Sequence, residues 1–326
     1  MAVQSDSVLI LGGSGQAGAG AAAMLRRWYP SLPLTIAGRD LARAQRIADE
    51  LGSATAVTID LERDDLGLPE AHRHSAVVAA LWDGRRYGLR YAQQRGLPYL
   101  NISSGLVDIA PEVIAGAQRA TAPILVASHV FAGVAVLAAI HSAEPFDRVD
   151  TVRLGAVLDA TDIGGPAGLA DLERLAVATS AAMVRRDGVF TWTADTQTEV
   201  RGADGATRPG QAIATLDVPS IAFATGAPNV RFDFAIGDSL SAEVRIDIEG
   251  VDRAGAPLRV SRSLIHPAGQ RPLTALGIAL GVERLLALRG APVPPGIHTP
   301  ESLIDPAYAV ERMYEIGAVF SDAQVS

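Results

Sequence analysis

Three glycines, spaced Gly13-x-Gly15-x-x-Gly18, carry the strongest chemical signal in this chain of 326 residues. Four apolar residues, Val8 to Leu11, precede them and read as a buried parallel strand. The Ala- and Leu-rich run from Ala19 to Tyr29 reads as a helix. In that setting the first glycine permits a tight turn. The second lets backbone approach a pyrophosphate, and the third lets helix pack closely on strand. The N–H groups opening the helix, with Ser14, Gln16 and Ala17 among them, then face the phosphates, aided by the helix dipole. The pattern therefore points to dinucleotide binding, because the glycines have a strand before them and a helix after.

A second strand, Leu34 to Ala37, ends in Gly38-Arg39-Asp40. An NAD site places an acidic residue here, to bind the ribose 2′-hydroxyl. This chain places Arg39 here, and a guanidinium is a charged, forked donor suited to a 2′-phosphate. Asp40 reads as the N-cap of the next helix, Leu41 to Leu51. Arg39 could also be an ordinary surface arginine. The expected cofactor is NADP(H).

Composition removes several alternatives. The chain is 48% hydrophobic and 20% charged, as expected of a globular protein long enough for two domains. Net charge is -8 with no basic block, which argues against nucleic acid as partner. There is no cysteine, so disulfides, thiolate nucleophiles and Cys-based zinc sites are excluded. All 28 basic residues are arginines. Without lysine there is no Schiff base, no P-loop lysine, and no Tyr-x-x-x-Lys pair for Tyr87 or Tyr91. Met1 to Ser7 lacks a signal-peptide pattern, and the apolar Val130 to Ile140 stretch is too short to span a membrane. A cytoplasmic protein without membrane association is expected.

Along the chain, strands and helices first alternate, the mark of a doubly wound parallel sheet. Strands are expected at Thr55–Asp60, Ala76–Leu81, Tyr99–Ile102 and Ile124–Ala127, with helices at Arg85–Gln94 and Pro111–Ala120. The pattern then changes. Asp150 to Asp159 alternates apolar and polar residues, and a helix is expected from Leu169 to Val184. Strands Val189–Thr193, Val230–Ile236, Ala242–Ile248 and Leu258–Leu264 look antiparallel, the last pair joined by a turn at Asp252 to Gly255. Helix returns at Leu273–Leu288, and a Pro-rich linker precedes Thr299-Pro300-Glu301. The fold class is thus α/β: a Rossmann-type domain, 1–128 and 273–326, interrupted by an α+β domain with an antiparallel sheet, 129–272. The tail is expected to pack onto the first domain. The second domain's sheet is expected to supply a twofold homodimer surface.

In an open α/β sheet, ligands bind outside the carboxyl ends of the strands. This rule selects the glycine turn, Arg39, then Asp60 and Leu61 near adenine, Leu81, Trp82 and Asp83 after strand four, Ser103 and Ser104 after strand five, and Ser128 and His129 after strand six. Hydride transfer also needs a proton donor or charge stabiliser. His129 is the first candidate, with Tyr87 and Asp83 next; Asp83 also reads as a helix cap. Arg262 could clamp a carboxylate or be a solvated strand residue. No Ser-His-Asp set or His-Glu-x-x-His motif is assembled from the sequence.

The Gly12 to Gly18 turn and Gly38-Arg39-Asp40 resemble the saccharopine dehydrogenase-like family of NAD(P)-dependent oxidoreductases. So do Pro98 to Ser103, the Thr299-Pro300-Glu301 segment and the interrupted layout. The resemblance implies reduction of an imine formed between an amine and an oxo acid, or the reverse. The family often has an aspartate where Asn101 stands, and Gly-Pro-Phe where Leu81-Trp82-Asp83-Gly84 stands. Those positions lie near substrate, so the resemblance carries the cofactor and not the substrate. The expected function is an NADP(H)-dependent reductase of an imine, carbonyl or activated alkene on a small molecule. The rival is a non-catalytic NADP-binding redox sensor.

Overall fold

The structure, a computed structural model, describes residues 6–162, 170, 173–174, 177–321 and 324–325. The chain forms two compact units. One comprises Met1–Ser104, Asp108–Ser128 and Thr274–Leu303; the other comprises Gly105–Val107, His129–Leu273 and Ile304–Ser326.

The first unit is built on a parallel sheet. Its strands are β1 (Ser7–Leu11), β2 (Leu34–Gly38), β3 (Ala54–Thr58), β4 (His74–Ala79), β5 (Tyr99–Asn101) and β6 (Pro123–Val126). They lie in the order β6-β5-β4-β1-β2-β3, with the short strand Gly296–His298 beyond β6. The order reverses between β1 and β4, which places a crevice at the carboxyl end of β1. Every residue of β1 and β2 is buried, the polar Ser7 and Thr35 included. Helix α1 (Gln16–Trp28) turns Gly18, Ala21, Ala22 and Leu25 inward at helical spacing. Helix α2 (Leu41–Leu51) begins where Asp40 accepts the Arg43 N–H at 3.0 Å. Helices α3 (Tyr87–Gln94) and α4 (Ala110–Arg119) complete the alternation.

The second unit is built on a mixed sheet. Its strands are β7 (Phe146–Asp159), β8 (Ala182–Arg186), β9 (Val189–Thr193), β10 (Gln197–Arg201), β11 (Thr207–Ala212), β12 (Asn229–Gly237), β13 (Ala242–Asp252) and β14 (Pro257–His266). The main order is β10-β11-β12-β7-β13-β14, and β8 joins β12 while pairing with β9. One pair departs from the antiparallel expectation: β7 and β12 run parallel. Period-two alternation shows which face a residue occupies but not which way the strand runs. Val152, Leu154, Val244, Ile246 and Ile248 form the buried face. Helices α5 (Val134–Ser142) and α6 (Asp217–Thr225) pack in this unit.

Three further departures have physical causes. The helix expected over Leu169–Val184 lies partly outside the described residues; Ala170, Glu173, Arg174, Val177 and Ala178 are helical, but the end is not, since Ala182–Arg186 is strand β8. That segment pairs with β9 across Asp187-Gly188, both at positive φ as a tight hairpin turn requires. Strands β10 and β11 are polar and half-exposed, so they gave no apolar run to read. The tail from Ile304 groups with the second unit, not the first; its helix α8 (Pro306–Glu315), beyond helix α7 (Arg271–Leu285), packs on α5. Among the described residues, no helix is long and apolar enough to cross a membrane.

A polar thread crosses the first sheet. Thr55 bonds Thr35 at 3.0 Å, Thr35 bonds Ser7 at 2.7 Å, and Ser7 meets His74 Nδ1 at 3.1 Å. Burial, helped by nearby His72 and Arg95, pushes the His74 imidazole from 6.5 down to about 4. His74 is therefore neutral in the folded protein at pH 6, while the unfolded chain binds a proton there. Stability is expected to fall as pH drops from about 6.5 toward about 4, by up to about 1.4 kcal/mol per pH unit through this residue. Urea unfolding at several pH values checks this: His74→Gln should lose stability less steeply than wild type, and equal slopes would refute the assignment.

Candidate functional site

The glycine turn lies between β1 and α1, at the crevice. Its glycines are required for different reasons. Gly12 has φ +77, a left-handed conformation that favours glycine. A Cβ there would also sit 3.0 Å from the Ala80 carbonyl and 3.1 Å from the Leu81 side chain. A Cβ on Gly13 would lie 2.8 Å from the Ile10 carbonyl. A Cβ on Gly18 would lie 2.5 Å from the Gly12 carbonyl and 2.9 Å from the Gly13 Cα. These three glycines are fixed by the chain packing on itself. The left-handed residue is thus Gly12, outside the Gly13-x-Gly15-x-x-Gly18 count. The same run also reads as Gly12-x-x-Gly15-x-x-Gly18, and that reading would have found it.

Gly15 differs. Its φ of -79 is ordinary for any residue. A Cβ there would meet one atom within 4 Å, the Gly12 carbonyl at 3.1 Å. Helix α1 starts immediately after it, with no side-chain cap and no acidic residue in its first turn. The opening helix, with Gln16 and Ala17, leaves an electropositive end free of any internal carboxylate.

The structure brings other expected residues to this turn. Ser14 lies over the end of β2: its Oγ would be 2.9 Å from a Cβ on Gly38. Arg39 follows, exposed, while Asp40 is held back by its cap to Arg43. The Ile59 N–H donates to the Gly38 carbonyl at 3.1 Å, which sets the β3 end, Asp60 and Leu61 beside that of β2. Asp60 is exposed and accepts the Glu62 N–H at 2.9 Å. Leu81 packs against Gly12, and Trp82 beyond it is 45% exposed.

The proposed acids fare differently. Asp83 is fully buried and accepts the N–H groups of Tyr87 at 3.0 Å, Gly88 at 2.8 Å and Leu89 at 3.2 Å, besides the Tyr99 hydroxyl at 3.3 Å. Those bonds cap α3, so Asp83 is assigned capping in place of acid–base work. Tyr87 is half-buried at the start of that helix. His129 belongs to the second unit and is buried there. Its Nε2 meets Ser220 Oγ at 2.8 Å, and the next N–H, of Val130, donates to Asp217 at 3.0 Å. Burial lowers its pKa to about 3, so the ring is neutral at pH 7 and is no store of an acidic proton. Ser220 does join a histidine, a pair the sequence did not reveal, but His129 Nδ1 has no partner among the described residues. Arg262 stacks over the Phe320 ring at 5.1 Å.

A buried polar cluster that sequence reading missed stands at the end of β5. Asn101 Nδ2 donates to Ser104 Oγ at 2.6 Å and to Glu112 Oε1 at 2.5 Å, and Asn101 Oδ1 accepts the Ser103 N–H at 2.8 Å. Arg86 Nε lies 3.3 Å from Glu112 Oε1. Burial raises the Glu112 pKa. Among the described residues, no group of acidic and histidine side chains could hold a metal ion.

No protein-family model matches the chain, and no curated protein sequence matches it. Solved structures do. The chain is similar to an apo saccharopine dehydrogenase (L-Glu forming) from Saccharomyces cerevisiae, with a TM-score of 0.70 at 11% identity, over 99% of this chain and 100% of that one. It is also similar to an amine dehydrogenase from Mycobacterium smegmatis, with a TM-score of 0.51 at 16% identity, over 92% of this chain and 97% of that one. The class defined by the fold is therefore a Rossmann-type sheet joined to a mixed-sheet unit. The particular fold is that of saccharopine dehydrogenase.

Gly15 has an ordinary φ and a single close Cβ contact, the Gly12 carbonyl at 3.1 Å, so it is the turn glycine whose replacement should disturb folding least. Gly15→Val should weaken NADPH binding at least tenfold while costing less stability than Gly13→Val, since the Gly12 carbonyl must give by only a few tenths of an ångström. Gly13→Val, which strikes the Ile10 carbonyl, should cost about 1–3 kcal/mol of stability. Fluorescence titration and urea unfolding of both variants check the pair; normal NADPH binding by Gly15→Val would contradict the reading of the turn.

Proposed function

We propose that the chain is an NADP(H)-dependent oxidoreductase acting on a small organic substrate with an imine, carbonyl or activated alkene. The observation that carries this reading is the start of α1 at the glycine turn, which has no side-chain cap and no acidic residue in its first turn. A pyrophosphate approaching that backbone would satisfy its free N–H groups. The fold shared with the two dehydrogenases supports the class of reaction. A bound nicotinamide would supply the hydride. The chain's part is to hold the phosphates on α1, to seat the ribose at β2 and to exclude water from the reacting centre.

Arg39 supports the choice of NADP(H). It is exposed at the end of β2, near Ser14, and its neighbour Asp40 is engaged by its helix. A redox sensor that binds NADP(H) without turnover is kept as the second reading, because one observation favours it. Asp83 is spent on capping, and His129 is buried and neutral, which leaves Tyr87 among the three expected acids.

Paired titration of wild type and Arg39→Ala tests the cofactor. A charge-assisted contact of about 1.5–3 kcal/mol predicts a loss of about 10- to 150-fold for NADPH. NADH binding should hardly change. Equal losses for both cofactors, or a wild-type preference for NADH, would overturn the assignment.

A further inference from the structure

The outer face of the second unit's sheet holds a groove of about 520 Å³, remote in kind from the glycine turn and lying wholly within that unit. Strand β10 folds over part of this face. Val200 is buried against Val157 and Ala235, and it comes so close to β7 that a Cβ on Gly155 would lie 2.9 Å from it. The remaining face is the groove floor, bounded by residues of β8 and β10.

The lining is strongly cationic. Six arginines and three carboxylates face it, in a chain whose net charge is -8. The register shows where the arginines cluster. Arg153 of β7 stands opposite Arg231 of β12 on one side and Asp247 of β13 on the other. Asp247 is already held by both Arg245 Nε and Nη2 at 2.9 Å, and it accepts the Ser261 hydroxyl. Asp233 is held by Arg231 at 2.6 Å. Arg153 is exposed and makes no hydrogen bond or ion pair among the described residues. Arg153 and Arg231 thus stand side by side on neighbouring parallel strands; Asp233 attracts both but is hydrogen-bonded by Arg231.

We propose that this groove is a binding site for a small organic polyanion, with Arg153 as its principal contact and Arg231 beside it. A guanidinium offers a planar fork that pairs two oxygens of a carboxylate or phosphate. An oxyanion seated between the two arginines removes their repulsion. The cavity volume suits a metabolite-sized ligand. The chemistry shared by carboxylates and phosphate esters is what the site recognises.

The test is isothermal titration calorimetry of the full chain with citrate and with inorganic phosphate, at constant ionic strength set by NaCl. Wild type is expected to bind at least one saturably, and Arg153→Gln to bind it at least tenfold more weakly. Arg153→Lys, which keeps the charge and loses the fork, should fall between. Tighter citrate binding assigns a carboxylate ligand, and tighter phosphate binding a phosphate ester. Circular dichroism and urea unfolding of each variant establish that it is folded. Absence of saturable binding, or equal affinity in wild type and Arg153→Gln, overturns the proposal. So does a dimer in sedimentation that excludes both anions and that Arg153→Glu dissociates, since a second copy would then occupy the face. NADPH titration of the same variants is scored separately, so failure of the nucleotide reading leaves this result unaffected.

Discussion

The first unit depends on one close approach, that of Gly18 to the Gly12 carbonyl. A single methyl group at Gly18 would sit 2.5 Å from that oxygen. The contact brings α1 down onto the turn and fixes where its first N–H groups point. Gly12, at φ +77, makes the reversal from β1 that the contact needs. Gly13 presses on Ile10, and Ser14 then falls over the end of β2. One backbone contact thus sets the positions of the α1 start and the β2 end together. Interiors are close-packed, so a shift of a few tenths of an ångström at Gly18 would be felt at both.

The cluster at the end of β5 gives a physical reason for Asn101. An aspartate at that position would set a second carboxylate 2.5 Å from Glu112 in a fully buried place. Burial already disfavours the charged form of Glu112. An amide instead donates to Glu112 and to Ser104 while accepting from Ser103. Arg86, opposite Glu112, also bonds the Asp83 and Asp108 carbonyls at 2.5 and 2.9 Å. The ends of β4 and β5 are therefore tied into one network.

Much of the first unit was legible because its signals are local. An uninterrupted apolar run, a glycine turn and Asp40 before a helix each act within a few residues. The bounds of α2 and β9 agree with the sequence reading to the residue. What stayed hidden depends on distant partners. Ala182–Arg186 continues an Ala-rich run and is strand only because β9 and Val230 offer backbone partners. Helix α6 contains Pro219 and β-branched residues, and it is held by packing on α5. The burial of His129 was equally unreadable, since Ser220 lies 91 positions away. The Arg153 site follows from strand register, which alternation does not supply.

In the proposed function the turn and Arg39 together hold a nucleotide bearing a 2′-phosphate. The most direct measurement uses the nucleotide end alone, free of any chemistry at the nicotinamide. Adenosine 2′,5′-bisphosphate and AMP are each titrated by calorimetry against the wild-type chain. The account predicts at least tenfold tighter binding of the bisphosphate, with the difference shrinking as salt rises. Equal affinities for the two, at low salt, would contradict it.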